Sequence, residues 1–187
     1  MGHIGRRYSP SRRSRWFWIA AIVLLALRYF TAEPGSTAPD SLEEGLHAIR
    51  RVVDGDTLLL ESGARLRLQG IDTPETVKEH SPVEAWGPEA SRFTNDFVNR
   101  AGGRVRLTFG PERKDQYDRF LAFVWDDDLM LNEELVRAGL ARARLDYRYS
   151  GIMKRRLSAA QDEARSARRG IWSGRPIGRP RAEFPRR

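Results

Sequence analysis

The sequence predicts an α+β domain that is mainly β: a closed barrel of five short strands with three helices, preceded by an N-terminal hydrophobic segment. Short runs of alternating apolar and polar residues indicate half-buried strands. A longer stretch with its apolar residues on one helical face follows the third of these runs. The length of 187 residues suits one such domain with tails. A small barrel with a helix inserted after its third strand is typical of the OB-fold.

The strands are predicted from alternation and from the turn residues between them. The first two flank Asp54-Gly55-Asp56, a strong turn sequence. In the third, arginine and glutamine alternate with leucine and glycine. The predicted strands are His47–Val53, Thr57–Leu60, Arg65–Ile71, Arg104–Phe109 and Phe120–Trp125.

The three helices are predicted from their boundary residues. The first covers Pro88–Ala101, with proline at its start and two glycines after its end. Asn132 is expected to cap a short second helix that ends at Gly139. The third helix is predicted over Gly151–Arg169 and is ended by Gly170.

The N-terminus has the pattern of an export signal. Five arginines precede the apolar run Trp16–Leu27, which Arg28 interrupts. A basic region followed by an apolar run is typical of a signal peptide or a membrane anchor, and both interpretations are open. Either one predicts a cytoplasmic N-terminus and an extracytoplasmic domain, anchored in the membrane or secreted. The predicted organisation is a basic region with signal or anchor (residues 1–30), a linker (31–45), the folded domain (46–173) and a basic disordered tail (174–187).

The charge distribution argues against a simple basic nucleic-acid binder. The net charge is +8, but residues 1–30 and 164–187 together hold fourteen arginines and one acid. The segment between them, 31–163, holds 19 basic and 24 acidic residues. An acidic body can still handle a polyanion if a bound cation inverts the local field. The chain has no cysteine, which excludes disulfides, cysteine-ligated zinc and a thiol nucleophile.

Acids and arginines recur at the predicted strand ends. Asp54 and Asp56 are two residues apart, so on an extended chain they point the same way. Each feature alone has a simpler interpretation, because these acids can serve the turn and Asp72-Thr73-Pro74-Glu75 can cap a helical turn. Together, carboxylates for a hard cation and two forked phosphate donors form a coherent site. The set comprises Asp54, Asp56, Arg67, Asp72, Glu75 and Arg119.

Five ordered motifs resemble those of the staphylococcal nuclease family. They cover about residues 47 to 173, and Gly170-Ile171-Trp172 resembles the closing motif of the family. The resemblance implies an OB-type barrel with three helices. The motifs are Val53–Thr57, Arg67–Glu75, Trp86–Ala90, Tyr117–Arg119 and Asn132–Ala141.

The resemblance also implies roles at matching positions. Asp56 and Asp72 match calcium carboxylates, Thr73 matches a residue that lends its backbone carbonyl, and Asp54 matches a nearby supporting acid. Glu75 matches the glutamate that positions or deprotonates the attacking water. The pair that grips the scissile phosphate matches Arg67 and Arg119, and tyrosines lining the nucleotide pocket match Tyr117 and Tyr147.

The chain departs from the family pattern beside the nucleotide pocket. Asp118 stands where the family type has glycine and adds a negative charge near the phosphate. Gln116 replaces a lysine and Leu145 replaces a tyrosine, while the loop after Glu75 keeps only Lys78. These departures do not affect the residues expected to bind the cation and the phosphate. They concern the affinity for the nucleotide and the stacking of its base.

The function expected from the resemblance is calcium-dependent hydrolysis of DNA and possibly RNA to products with 3′-phosphate ends, by a monomer. The alternative is a catalytically inactive module that only binds nucleic acid. Such a module has no need to keep Asp56, Arg67, Asp72, Glu75 and Arg119 together, and all five are present. An OB-type domain for a small anion or a sugar has no supporting feature.

Overall fold

A computed structural model of the chain describes residues 38–75 and 84–174. The predicted signal or anchor over residues 1–30 lies outside the described residues, as do most of the linker, Lys78 and the tail after Gly174. Within the described ranges, no helix is long and apolar enough to cross a membrane.

The described chain folds into eight strands, three helices and a final 3-10 turn. In chain order the strands are β1 (Gly45–Asp54), β2 (Thr57–Leu60), β3 (Arg65–Leu68), β4 (Ile71–Asp72), β5 (Arg104–Lys114), β6 (Phe120–Asp126), β7 (Leu129–Met130) and β8 (Arg142–Ala143). The helices are α1 (Gly87–Arg100), α2 (Leu131–Arg137) and α3 (Gly151–Ser166), and the 3-10 turn is Gly170–Trp172.

Five of the strands close into a barrel. Antiparallel pairing links β3, β2, β1, β5 and β6 in that order. Parallel pairing of β3 with β6, with Leu66 opposite Phe120 and Leu68 opposite Ala122, closes the ring. These four side chains are at most 3% exposed and fill the interior, so the residues between them face outward. The closed barrel with its three helices confirms the predicted OB-type fold.

Two predicted strands have different ends in the structure. The third breaks after Leu68, because Gly70 has a φ of 79° and a Cβ there would meet Leu157 and Tyr149 at 2.9 Å. The chain then pairs again as β4 with β8. Strand β5 continues past the predicted end at Phe109, across an irregular stretch, and resumes its pairing with β6 at Lys114.

The helix boundaries correct two predictions. Asn132 does not cap α2, whose N-cap is Met130. Its buried amide instead accepts from the Val124 N–H and donates to the Gln69 carbonyl, so it ties α2 to strand β6 and to the residue that follows β3. Helix α3 ends at Ser166 rather than Arg169, because Arg168 adopts a left-handed φ of 52°.

Two glycines join the end of α2 to the start of the 3-10 turn. Gly139 and Gly170 both have positive φ, and a Cβ on either would collide with backbone near the other. The Ile171 N–H donates to the Gly139 carbonyl at 2.9 Å. This junction holds the 3-10 turn against the exit of α2.

Candidate active site

The β1–β2 turn is pinned at one edge of the barrel. A Cβ on Gly55 would meet Ala90 of α1 at 2.7 Å and the Thr73 hydroxyl at 2.9 Å, so only glycine allows this approach. The Thr94 hydroxyl donates to the Gly55 carbonyl at 2.6 Å. Helix α1 and the segment after β4 therefore both press on the turn that carries the predicted acids.

The two acids of the turn have different hydrogen-bond partners. Asp54 Oδ1 accepts from the Gly55 N–H at 2.7 Å and from the Ser91 hydroxyl of α1 at 3.2 Å. Asp56 contacts Arg67 and Thr73 instead. The reason is that Gly55 and Asp56 form a tight two-residue turn, in which the alternation of an extended chain is lost.

Asp56 is a buried carboxylate with several donors. Only 1% of its surface is exposed. Its Oδ2 accepts from both the N–H and the hydroxyl of Thr73 at 2.9 Å, and its Oδ1 accepts from the Thr57 hydroxyl and from Arg67. Burial raises the pKa of Asp56 above its ordinary value, although Arg67 and Thr73 favour the ionised form. A second positive charge at this carboxylate would offset the cost of burial.

Arg67 bridges the two acids predicted to bind a cation. Its Nη2 lies 2.6 Å from Asp72 Oδ1, and its Nη1 contacts Asp56 Oδ1. The guanidinium is reached from solvent, because Arg67 alternates with the buried Leu66 and Leu68 on β3 and faces out of the barrel. The structure thus brings Asp56, Arg67 and Asp72 together around one cationic group.

Arg119 lies on the same outer face, next to β3. It precedes the buried Phe120 of β6, and the neighbouring Leu121 is the register partner of Arg67. Arg67 on β3 and Arg119 immediately before β6 therefore both lie on the outside of the barrel.

Asp115 holds Arg119 in place and was missed by the reasoning from sequence. Its Oδ2 lies 2.7 Å from both Nε and Nη2 of Arg119, and its Oδ1 accepts from the backbone N–H groups of Tyr117 and Arg119. Burial pushes the pKa of Asp115 up, but these hydrogen bonds together hold it below its ordinary value. An aspartate opening a four-residue turn was the available signal.

Glu75 is fixed through its backbone. Its N–H donates to Glu84 Oε2 at 3.3 Å, and its carbonyl accepts from the Glu84 N–H at 2.9 Å. This pair joins the segment after β4 to the residues just before α1. Glu75 lies two residues beyond Thr73, and Thr73 is bound to Asp56.

The two predicted nucleotide tyrosines are exposed and each stacks with an arginine. Tyr117 is 70% exposed, with Arg119 Cζ 5.3 Å from its ring centroid. Tyr147 is 46% exposed, with Arg144 Cζ at 4.7 Å. Arg144 Nη1 also lies 3.8 Å from Asp72 Oδ2, so Arg144 is a second residue that sequence reasoning missed.

Asp118 has a backbone conformation that glycine adopts most readily, which explains why the family type has glycine at this position. Its φ is 60°, a left-handed value that aspartate tolerates better than most residues. Its side chain is 80% exposed and pairs with Lys114 at 2.7 Å. The added negative charge therefore points to solvent and is partly neutralised.

Fold and site together define an OB-type barrel with an acid-and-arginine site at one edge. A family model described as staphylococcal nuclease homologue matches residues 65–174. Thermonucleases from Staphylococcus hyicus and Staphylococcus intermedius are each 38% identical to the chain. The first aligns over 161 residues, 83% of this chain and 93% of the relative, and the second over 156 residues, 81% and 91%. Endonuclease YncB of Bacillus subtilis is 35% identical over 127 residues, 66% of this chain and 59% of the relative.

The chain belongs to the staphylococcal nuclease family. This confirms the resemblance read from the five motifs.

Proposed function

We propose that the chain is a calcium-dependent nuclease that hydrolyses phosphodiesters in DNA and RNA and leaves 3′-phosphate ends. The observation that carries the proposal is the convergence of Asp56 and Asp72 on one cationic group, the Arg67 guanidinium, with Arg119 immediately before the adjoining strand β6. The names of its relatives, thermonuclease and endonuclease, support the same class of reaction.

The donors at this edge suit a hard cation. Among residues 38–75 and 84–174, no three carboxylates, histidines or cysteines gather as a metal-ligand group. The side-chain ligands would therefore be Asp56 and Asp72, with the backbone carbonyl of Thr73 as a third oxygen. An all-oxygen set that is flexible in geometry favours calcium over magnesium. When bound, the cation would supply Lewis-acid neutralisation of the phosphodiester.

The two arginines have donors to spare for a phosphate. A guanidinium carries five N–H donors in a fixed fork. Arg67 directs two nitrogens to the acids, and Arg119 directs two to Asp115, so each keeps further N–H groups for an incoming oxyanion. Preorganised forks stabilise the charge that grows on the equatorial oxygens during attack.

Glu75 is proposed to align the attacking water. A carboxylate two residues beyond Thr73 can accept a proton from a water that attacks phosphorus in line. The new bond joins the water oxygen to phosphorus, the bond from phosphorus to the 5′ oxygen breaks, and that oxygen takes up a proton. The phosphate then stays on the 3′ side.

A binding module is the second candidate, and the exposed tyrosines favour it as much as they favour an enzyme. Tyr117 and Tyr147 offer stacking faces to bases whether or not the strand is cut. The buried Asp56 separates the two functions, because a binder of polyanions gains nothing from a carboxylate at its phosphate site.

The test is a cutting assay on the purified full chain with single-stranded DNA and RNA. We expect cutting with calcium, none with a calcium-specific chelator, and weak cutting with magnesium. Product ends should require a 3′-phosphatase before a polymerase can extend them. Equal cutting in chelator would rule out the cation-dependent mechanism, and products extended without phosphatase would rule out the assigned bond.

A further inference from the structure

A cavity of about 350 Å³ opens beside the acids of the candidate site. Asp72 and Thr73 form the wall that it shares with that site. Pro74, Trp86 and Ile171 make the apolar part of the lining, and Arg142 and Glu84 add charged groups. The tyrosines proposed for nucleotide binding are not among its lining residues, so the cavity is a separate space next to the same acids.

Trp86 lines this cavity in a strained conformation. Its φ is 76°, which is rare for a bulky residue, and its backbone forms the N-cap of α1. The indole is 8% exposed. Such strain persists only where the surroundings fix the residue, and it clusters at ligand-binding positions. A flat apolar ring held at a cavity wall is a surface on which a base or a sugar can pack.

Arg142 provides a guanidinium that forms no ion pair with the residues that the structure describes. It lies opposite Asp72 in the β4–β8 pair, and its Cζ stacks 4.7 Å from the Trp172 ring centroid. Arg165 stacks on the same ring at 4.4 Å. Among the described residues, Arg142 has no carboxylate within 4.0 Å, whereas Arg144 pairs with Asp146 at 3.0 Å. A guanidinium positioned by stacking keeps its full fork available for a phosphate.

We propose that this cavity is a second nucleotide subsite. In this assignment, which rests on the proposed function, one nucleoside beside the scissile phosphate packs against Trp86. Arg142 then binds the next phosphate along the strand. The substrate class is accordingly a single-stranded polynucleotide that extends beyond the scissile bond, because a paired base would not enter the cavity.

The experiment compares two substrates that differ in the flanking phosphate. Dithymidine phosphate has a single phosphodiester, and a thymidine octanucleotide supplies flanking ones. We expect Arg142→Gln to lower kcat/KM on the octanucleotide about tenfold more than on dithymidine phosphate, as loss of a charged hydrogen bond does. Trp86→Asn, chosen because asparagine tolerates positive φ, should lower both by a similar factor. Arg104→Gln removes the same charge from an exposed position on β5 outside the cavity and should change neither.

The outcomes separate the subsite from the proposed function. If Arg142→Gln lowers both substrates equally, or neither, the subsite is overturned while calcium-dependent cutting stands. Binding of the octanucleotide, measured by fluorescence anisotropy in chelator, gives a readout without catalysis. If the wild type never cuts but Arg142→Gln weakens that binding and Arg104→Gln does not, the proposed function fails and the subsite stands. If Arg142→Gln does not fold, Arg142→Lys, which keeps the charge but loses the fork, should give the same pattern more weakly.

Discussion

Two clusters of acids and arginines in this molecule have nearly the same composition and different surroundings. The first, the barrel-edge cluster, contains Asp56, Arg67 and Asp72. The second, the interhelix network, joins α2 to α3 and contains Glu133, Glu134, Arg137, Arg156, Glu163 and Arg169. In both, a guanidinium bridges carboxylates, at least one of which is buried.

The clusters differ in charge balance. The interhelix network pairs three carboxylates with three arginines, and Arg137 alone contacts Glu133, Glu134 and Glu163. At the barrel edge Asp56 and Asp72 share Arg67. Arg144 also approaches Asp72 but pairs with Asp146, so three carboxylates share two arginines beside the cavity that Asp72 lines. A balanced cluster holds two helices together, whereas an unbalanced one next to open space is suited to binding a cation. Residue type alone therefore does not separate a structural cluster from a functional one.

The largest effect should come from replacing either of the two arginines of the candidate site, Arg67 and Arg119. Arg67→Lys and Arg119→Lys should each lower kcat on the order of a hundredfold or more, because lysine cannot supply the fork. Nucleotide binding should weaken far less, because the charge on the equatorial oxygens peaks in the transition state. Turnover and the dissociation constant should be measured together. A loss of binding as large as the loss of turnover would favour the binding module.

The matched substitution in the interhelix network should affect stability instead. Arg137→Met removes the ion-pair partner of Glu134 and one of the two partners of Glu133, and it should lower the free energy of unfolding by about 2 kcal/mol. Turnover of the folded fraction should stay near that of the wild type. Urea unfolding and a cutting assay check this together. A hundredfold loss of turnover in a folded Arg137→Met variant would erase the distinction between the clusters.

A smaller, pH-dependent effect is expected at Asp115. Because its folded pKa is lowered, the carboxylate contributes stability above its ordinary pKa of 3.8, and that contribution is lost as pH falls through the folded pKa. Asp115→Asn should lower the free energy of unfolding by about 1 kcal/mol at pH 7. The difference from wild type should shrink below pH 4. Urea unfolding at pH 7, 5 and 3 measures it, and a difference that grows on acidification would contradict the assignment.

The smallest effect is expected at Asp118. Removing its exposed charge with Asp118→Gly should tighten nucleotide binding roughly twofold at low salt, with less change at high salt. Stability should change little, because glycine relieves the left-handed strain but adds freedom to the unfolded chain. Asp118→Asn removes the charge while keeping a residue that tolerates positive φ, and it should bind like the glycine variant. An equal change at both salt concentrations would point to a cause other than charge.

The sequence predicted those secondary-structure elements that depend on local features, namely the alternation of apolar and polar residues and the turn residues between them. The barrel strands and the helix Gly87–Arg100 follow from such patterns. The roles of Asn132 and Gly70 were not visible, because both depend on contacts between distant segments. The Asn132 amide, which could have capped a helix, instead forms hydrogen bonds with Val124 and Gln69 in the closed barrel.

The sequence predicted which residues belong to the candidate site but not how they are arranged in space. Asp56, Arg67 and Asp72 were identified from strand ends and from the resemblance, and the structure places them in contact. The hydrogen bond of Asp54 with Ser91 could not be predicted, because a tight turn removes the period of two. The contact of Asp115 with Arg119 was missed, although an aspartate that opens a four-residue turn was a signal for it. The cavity beside Asp72 depends on Trp86, Arg142 and Ile171, which the chain brings together only when folded.

The glycine junction at the exit of α2 has a consequence for how the protein is made. Gly139 can accept a hydrogen bond from Ile171 only after residue 171 has been synthesised, so this contact forms after all the described strands have been made. The 3-10 turn that docks there supplies Ile171 to the cavity and Trp172 to the stack under Arg142. A ribosome-bound chain that lacks these residues can form the barrel strands without a finished cavity. The proposed second nucleotide subsite is therefore complete only after residues 170–172 have been synthesised and have docked.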